Sequence, residues 1–221
     1  MKSMAEIFRS YAEFDSAGRH VNGTDKESNH HYGNAYESLF AQGDANLCPY
    51  PLHSDRRSCN KCGSDTYHFA DCPDSKVTRH SVKLVMEVGV ADGSCLLAWR
   101  DIFPNATIVG VDIHPSDRAH GERLEFHLGD QRVRRHCEAA AAGRQFDLIV
   151  EDATHHIGDT LLTLYWLWPF VRPGGLYVVE EWEGVSGDRD IIRAMWPATL
   201  IVGTSGPHID DEPLVVFRKP K

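Results

Sequence analysis

The chain has 221 residues, 42% of them hydrophobic and 25% charged, with 32 Asp+Glu against 23 Lys+Arg for a formal net charge of −9. That composition supports a single folded core with room for an insertion and excludes general disorder. An acidic chain without a basic stripe does not suit a nucleic-acid partner, because neutralising phosphates takes clustered Lys and Arg.

In chain order, residues 1–44 read as a polar, helical segment with a Gly23-Thr24-Asp25-Lys26 turn. Its opening, MKSMAEIFRSYAEF, has neither an apolar h-region nor a small-residue cleavage site, so a cytoplasmic location is expected. Residues 45–78 are rich in Cys, Pro and Asp with little periodicity, and read as an insertion or long loop. Residues 79–221 carry a regular alternation. The strand candidate LVMEVGV leads to a helix over Ser94 to Phe103 and a strand over Thr107 to Asp112. EFHLGD, a helix over Arg132 to Ala142, FDLIVED, a helix over Asp159 to Phe170 and GGLYVVEE continue it, with Pro173-Gly174-Gly175 separating the last helix from its strand.

Apolar strands alternating with helices imply a parallel sheet covered on both faces, a doubly wound, Rossmann-like α/β fold. ATLIVG and PLVVF are joined by too few residues for a crossover helix, so they should form an antiparallel hairpin at the edge of a mostly parallel, seven-stranded sheet. The longest strongly apolar run, Leu161 to Val171, spans 11 residues. A membrane-spanning helix needs roughly 20, so no membrane partner is expected.

The segment Glu87-Val-Gly-Val-Ala-Asp-Gly-Ser94 joins the first strand of the alternation to its helix, at the strand end where open α/β sheets bind ligands. Gly89 and Gly93 allow a tight turn and close backbone approach. The spacing is not G-x-G-x-x-G, so a dinucleotide pyrophosphate has no cradle. Asp112 ends the second strand, placed to accept hydrogen bonds from ribose hydroxyls, and Asp130 ends the third, within reach of an adenine. An acidic strand end at Glu87, a short Gly turn with Ser94 and a ribose-binding acid suit S-adenosylmethionine, which is cationic at sulfur and carries no phosphate. An ordinary βα turn and a strand-end Asp are the structural alternatives.

Two more strand ends converge on the same rim, Glu151-Asp152-Ala153-Thr154-His155-His156 and Glu180-Glu181. Carboxylates crowded together repel one another unless a cation lies between them, and oxygen donors favour Mg²⁺ or Mn²⁺ over zinc. His155, three residues beyond Asp152, can face the same site with an unperturbed pKa near neutrality, as a general base requires. Such a pairing suits methyl transfer to an alcohol, whose hydroxyl (pKa near that of water, roughly 15.7) an imidazole cannot deprotonate unaided. Solvated strand-end acids and a structural His156 are the competing readings.

With these motifs in place, the chain resembles the metal-dependent sugar O-methyltransferases of the macrocin and mycinamicin type, within the class I S-adenosylmethionine methyltransferases. The residues that carry the resemblance are Gly23 to Lys26, HYGNAYE at His31 to Glu37, EVGVADGS followed by Trp99, FPNATIVGVDIHP, Gly129 to Gln131, Asp152 to His155, and PGGLYVVEE. It implies Asp152, Glu180 and Glu181 as metal ligands, with Asp152 and His155 as catalytic residues and His155 as the base. It also implies Gly89, Ser94 and Asp112 at the cofactor, and residues Asp25 to Tyr36 folded over the site. Tyr32 and Tyr36 read equally well as core aromatics. The family usually carries Asp where this chain has Glu181 and Glu151, and lacks the Cys-rich stretch. The acceptor so implied is a sugar hydroxyl of a glycosylated natural product or glycan. A catechol-type methyltransferase and a non-catalytic binding module are the rival functions, and a homo-oligomer is compatible with all three.

Cys48, Cys59, Cys62 and Cys72 fall within 25 residues and contain one C-x-x-C, with His53 and His68 nearby. A tetrahedral zinc site, unliganded thiols and disulfides all remain open readings, the last disfavoured in a reducing compartment.

Overall fold

The computed structural model describes residues 2–18, 20–27, 30–40, 78–182, 199–202 and 214–220. Residues 45–77 of the insertion, including Cys48, Cys59, Cys62 and Cys72, lie outside the described residues, as does the link between the last two strands. Among the described residues, no helix is long and apolar enough to cross a membrane.

The N-terminal segment holds α1 (Met4–Ser10), the short strands β1 (Ala12–Phe14) and β2 (His20–Gly23), and α2 (Tyr32–Leu39). α1 begins at a capping box, in which the Ser3 side chain accepts from the Glu6 N–H while the Glu6 carboxylate accepts from the Ser3 N–H. The antiparallel β1–β2 hairpin departs from the all-helical expectation. Its cause is local: the Asp15 side chain accepts from the Ala17 N–H, the Gly18 N–H donates to the Asp15 carbonyl, and Gly18 takes φ +76°.

The main unit follows the expected alternation: β3 (Leu84–Val88), α3 (Ser94–Ile102), β4 (Thr107–Asp112), β5 (Leu124–Leu128), α4 (Arg134–Ala141), β6 (Phe146–Glu151), α5 (Ile157–Leu167), β7 (Val171–Val179), β8 (Thr199–Val202) and β9 (Leu214–Arg218). α5 stops before the expected Phe170 and tightens into a 3₁₀ turn over Trp168–Phe170, because Pro169 has no N–H to continue the α pattern. Pro173-Gly174-Gly175 does not precede the last parallel strand but lies inside β7, absorbed as a register shift between the pairs Phe146–Val171 and Leu148–Leu176.

The seven strands run in the order β5-β4-β3-β6-β7-β9-β8, parallel from β5 to β7, with β9 antiparallel to both β7 and β8. The chain starts this sheet at β3 and winds outward in both directions, so the crevice at the carboxyl ends of β3, β4 and β6 is the switch point where such folds bind ligands. Two apolar layers flank the sheet. One joins α1, α2 and α3 to it through residues such as Phe8, Tyr36 and Trp99, and the other joins α4 and α5 through residues such as Cys137, Leu164 and Leu167.

Candidate active site

β3 delivers Glu87 to the rim and ends in a turn that only glycine fits comfortably. Gly89 has φ +89°, and a Cβ there would collide with the carbonyl of Asp152. Gly93, at φ +90°, precedes α3 at its N-cap. The Ser94 hydroxyl and N–H both donate to the Asp92 carboxylate, and Arg118 bridges Ser94, Asp92 and Glu13. Asp112, at the end of β4, faces this turn: its Oδ2 accepts from the Val90 and Ala91 N–H groups at 2.8 and 2.9 Å, and its Oδ1 from the His114 N–H at 2.8 Å. A carboxylate has about four acceptor positions, so the backbone leaves room for a further hydroxyl. Asp130 is gripped by the Arg132 guanidinium through two hydrogen bonds, which holds its carboxyl below the usual range.

β6 and β7 bring the reactive groups together. Asp152, His155 and Glu181 each offer a donor atom within 4.8 Å of the others, with His155 Nε2 3.3 Å from Asp152 Oδ1 and His155 Nδ1 against Glu181 Oε2. His155 reaches this position from a left-handed backbone at φ 56°, and Glu181 from φ 49°. Hydrogen bonds to Asp152 and Glu181 push the His155 pKa up to about 10. Asp25, His30 and Glu181 form a second such group sharing Glu181, with His30 Nε2 2.9 Å from Glu181 Oε1. The two carboxylates of the first group offer oxygen donors of the kind that a hard divalent cation such as Mg²⁺ or Mn²⁺ takes, with the His155 imidazole beside them.

Glu180 faces inward. Its Oε2 lies 2.6 Å from Lys26 Nζ and its Oε1 accepts from the Tyr36 hydroxyl at 2.5 Å. Lys26 is fully buried, also donating to Asp152 Oδ2 at 2.8 Å and lying 3.0 Å from Glu87 Oε1. Burial opposes its charge, but Asp152, Glu180 and Glu87 outweigh it and hold the ammonium protonated. Sequence reasoning placed Lys26 in the Gly23–Lys26 motif and in the stretch over the site but gave it no role of its own, because a lysine in a polar turn is ordinarily solvated. Tyr32 and Tyr36 are at once core aromatics and site residues: both are buried on α2, and the Tyr32 hydroxyl accepts from the Glu181 N–H. His156 is exposed at the N-cap of α5 and is not part of the donor group.

The arrangement is the class I methyltransferase fold. It superposes on the MycE methyltransferase from the mycinamycin biosynthetic pathway in complex with Mg and SAH, with a TM-score of 0.50, 23% identity, and coverage of 64% of this chain and 46% of that one. The complex of MycE with Mg, SAH and mycinamycin VI superposes equally, at a TM-score of 0.50.

In sequence the chain is similar to demethylmacrocin O-methyltransferase of Streptomyces fradiae, 33% identical over 120 residues that make up 48% of this chain and 30% of that protein. It is 31% identical over 138 residues to mycinamicin VI 2''-O-methyltransferase of Micromonospora griseorubida, covering 56% of this chain and 33% of that protein. The chain thus spans about a third of the length of the curated relatives it matches. No family model matches it.

Proposed function

We propose that the chain transfers a methyl group from S-adenosylmethionine to a hydroxyl, most naturally on a sugar of a glycosylated natural product, with a divalent cation at the rim. The observation that carries this reading is the meeting of Asp152, His155 and Glu181 beside the Gly89 turn and Asp112. In the reaction the acceptor oxygen attacks the methyl carbon bound to sulfur. The C–S bond breaks with its electron pair left on sulfur, and the hydroxyl proton passes to the protein.

Asp152, Glu180 and Glu181 are the proposed ligands. Lys26 and Tyr36 leave lone pairs on Glu180, since each carboxylate oxygen carries two. When bound, Mg²⁺ or Mn²⁺ would lower the pKa of a hydroxyl oxygen by several units and orient it. His155 is the proposed proton acceptor. In the cation-free chain its two carboxylate partners keep it protonated at neutral pH, so it can serve as a base only once those carboxylates are engaged elsewhere. Gly89, Gly93, Ser94 and Asp112 are proposed to line the cofactor. Glu87, spent on Lys26, and Asp130, held by Arg132, would contribute less directly.

The test is methyl transfer to a panel of glycosides. Activity should vanish in excess chelator and return with Mg²⁺ or Mn²⁺. His155→Ala and Asp152→Ala should lower turnover at least 100-fold, the lower end of general-base contributions, while calorimetric S-adenosylmethionine binding persists. Full activity in chelator would overturn the cation's role, and cofactor binding without transfer to any acceptor would favour a binding module. Transfer to a catechol insensitive to His155→Ala would favour the phenol-directed rival. The zinc reading of Cys48, Cys59, Cys62 and Cys72 rests on spacing alone, and elemental analysis of the purified chain tests it.

A further inference from the structure

Four side chains from one stretch of the N-terminal segment end on the two consecutive acids that close β7. Lys26 Nζ and the Tyr36 hydroxyl take the two oxygens of Glu180, at 2.6 and 2.5 Å. His30 Nε2 lies 2.9 Å from Glu181 Oε1, and the Tyr32 hydroxyl accepts from the Glu181 N–H at 3.3 Å. Lys26 also holds Asp152 Oδ2, leaving Asp152 Oδ1 to face His155. Asp152 and Glu181 therefore have one oxygen tied to the N-terminal segment, and Glu180 has both. A buried lysine facing three acids is not placed there by solvation, because charge is retained in such a position only against opposite charge.

We propose that Lys26 is a positioning residue for the cation site, an internal counter-charge that fixes the orientation of Asp152 and Glu180 and makes cation capture depend on the docked N-terminal segment. The proposal rests on the cation reading above and adds to it the residue that sets ligand geometry. The sign of the effect separates this role from simple charge. A fixed positive charge about 3 Å from the ligands repels a second cation, so on Coulomb grounds alone its removal should tighten metal binding. If Lys26 aims the ligands, its removal weakens binding instead, as loss of an outer-shell partner does, typically by 10- to 100-fold.

The experiment is Mn²⁺ binding followed by electron paramagnetic resonance on the full chain, with circular dichroism to confirm the fold. Lys26→Met should bind Mn²⁺ at least about 10-fold more weakly than the unmodified chain. Ethylammonium should recover part of the affinity of Lys26→Ala. Tyr36→Phe, which removes one hydroxyl and no charge, should weaken binding about fivefold, the equivalent of one hydrogen bond of about 1 kcal/mol. If the Lys26 variants do not fold, unchanged or tighter binding in Tyr36→Phe overturns the orientation of Glu180 by the N-terminal segment on which the proposal depends. Unchanged or tighter binding in the folded variants overturns the positioning role. Absence of Mn²⁺ binding in the unmodified chain overturns the underlying cation reading instead.

Discussion

Glu181 is held from two sides by histidines, and this gives the cation-free site a definite pH response. Burial disfavours a charged His30, but hydrogen bonds to Asp25 and Glu181 prevail and carry its pKa to about 10, and His155 reaches a similar value through Asp152 and Glu181. An ordinary His titrates near 6.5. A raised folded-state pKa means that the stabilisation is fully present below about pH 6.5 and is lost as pH climbs through about 10. Glu181 is shifted oppositely: burial is outweighed by His155 and His30, its carboxyl lies well below the usual range, and its contribution fades only as pH falls below that of ordinary carboxylates. Thermal unfolding in chelator should show a midpoint that declines from about pH 6.5 to 10, with a shallower decline for His30→Asn; equal slopes would remove these pairs from the balance. At this scale Asp152 and His155 were legible in the sequence, because a strand end followed by a three-residue step puts both groups on one rim. The segment holding Lys26 was placed over the site, but the lysine's pairing was not legible, since its partners Asp152 and Glu180 lie 126 and 154 residues away and no local pattern marks its side chain as buried.

Among the elements, the βα turn after β3 is the most constrained. Gly89 combines a left-handed backbone with the Asp152 carbonyl where a Cβ would stand, so the turn proposed to line the cofactor and the acidic loop are built in contact. Gly89→Ala should cost about 1–3 kcal/mol from backbone strain alone, read from denaturant unfolding. It should also weaken Mn²⁺ and S-adenosylmethionine binding together, because relief of the collision moves both loops; loss of one without the other would uncouple them. The central parallel strands β3 and β6 were readable because nearly all their residues are buried on both faces and so form mostly apolar runs. The β1–β2 hairpin was not, because strands of three and four mostly exposed residues leave no alternation to detect. The Pro-Gly-Gly inside β7 misled for another reason: its punctuation signal was genuine, but the neighbouring strands held the chain in register and the glycines supplied a bulge.

Across the whole molecule, the N-terminal segment is fastened to the sheet by aromatic packing on α3. Trp99 meets Phe8 and Tyr36 edge-on at centroid distances of 4.9 and 4.8 Å, and Phe40 meets Phe103 at 5.0 Å. Trp99→Ala should therefore cost about 3–5 kcal/mol in unfolding free energy, and at moderate denaturant should free residues 4–40 for hydrogen exchange before the strands open. Simultaneous exchange of both would show that the segment has no stability of its own to lose. The sheet order carries a further consequence, for the history of the chain during folding. β9 follows β8 in sequence yet lies between it and β7, so β8 can join the sheet only through a strand made after it. Until residues 214–218 arrive, β7 presents an open edge flanked by apolar side chains, the kind of template that recruits another chain. Yield on refolding should consequently fall with protein concentration, and the vulnerable interval closes when five residues, Leu214–Arg218, slide into a slot already bounded on one side.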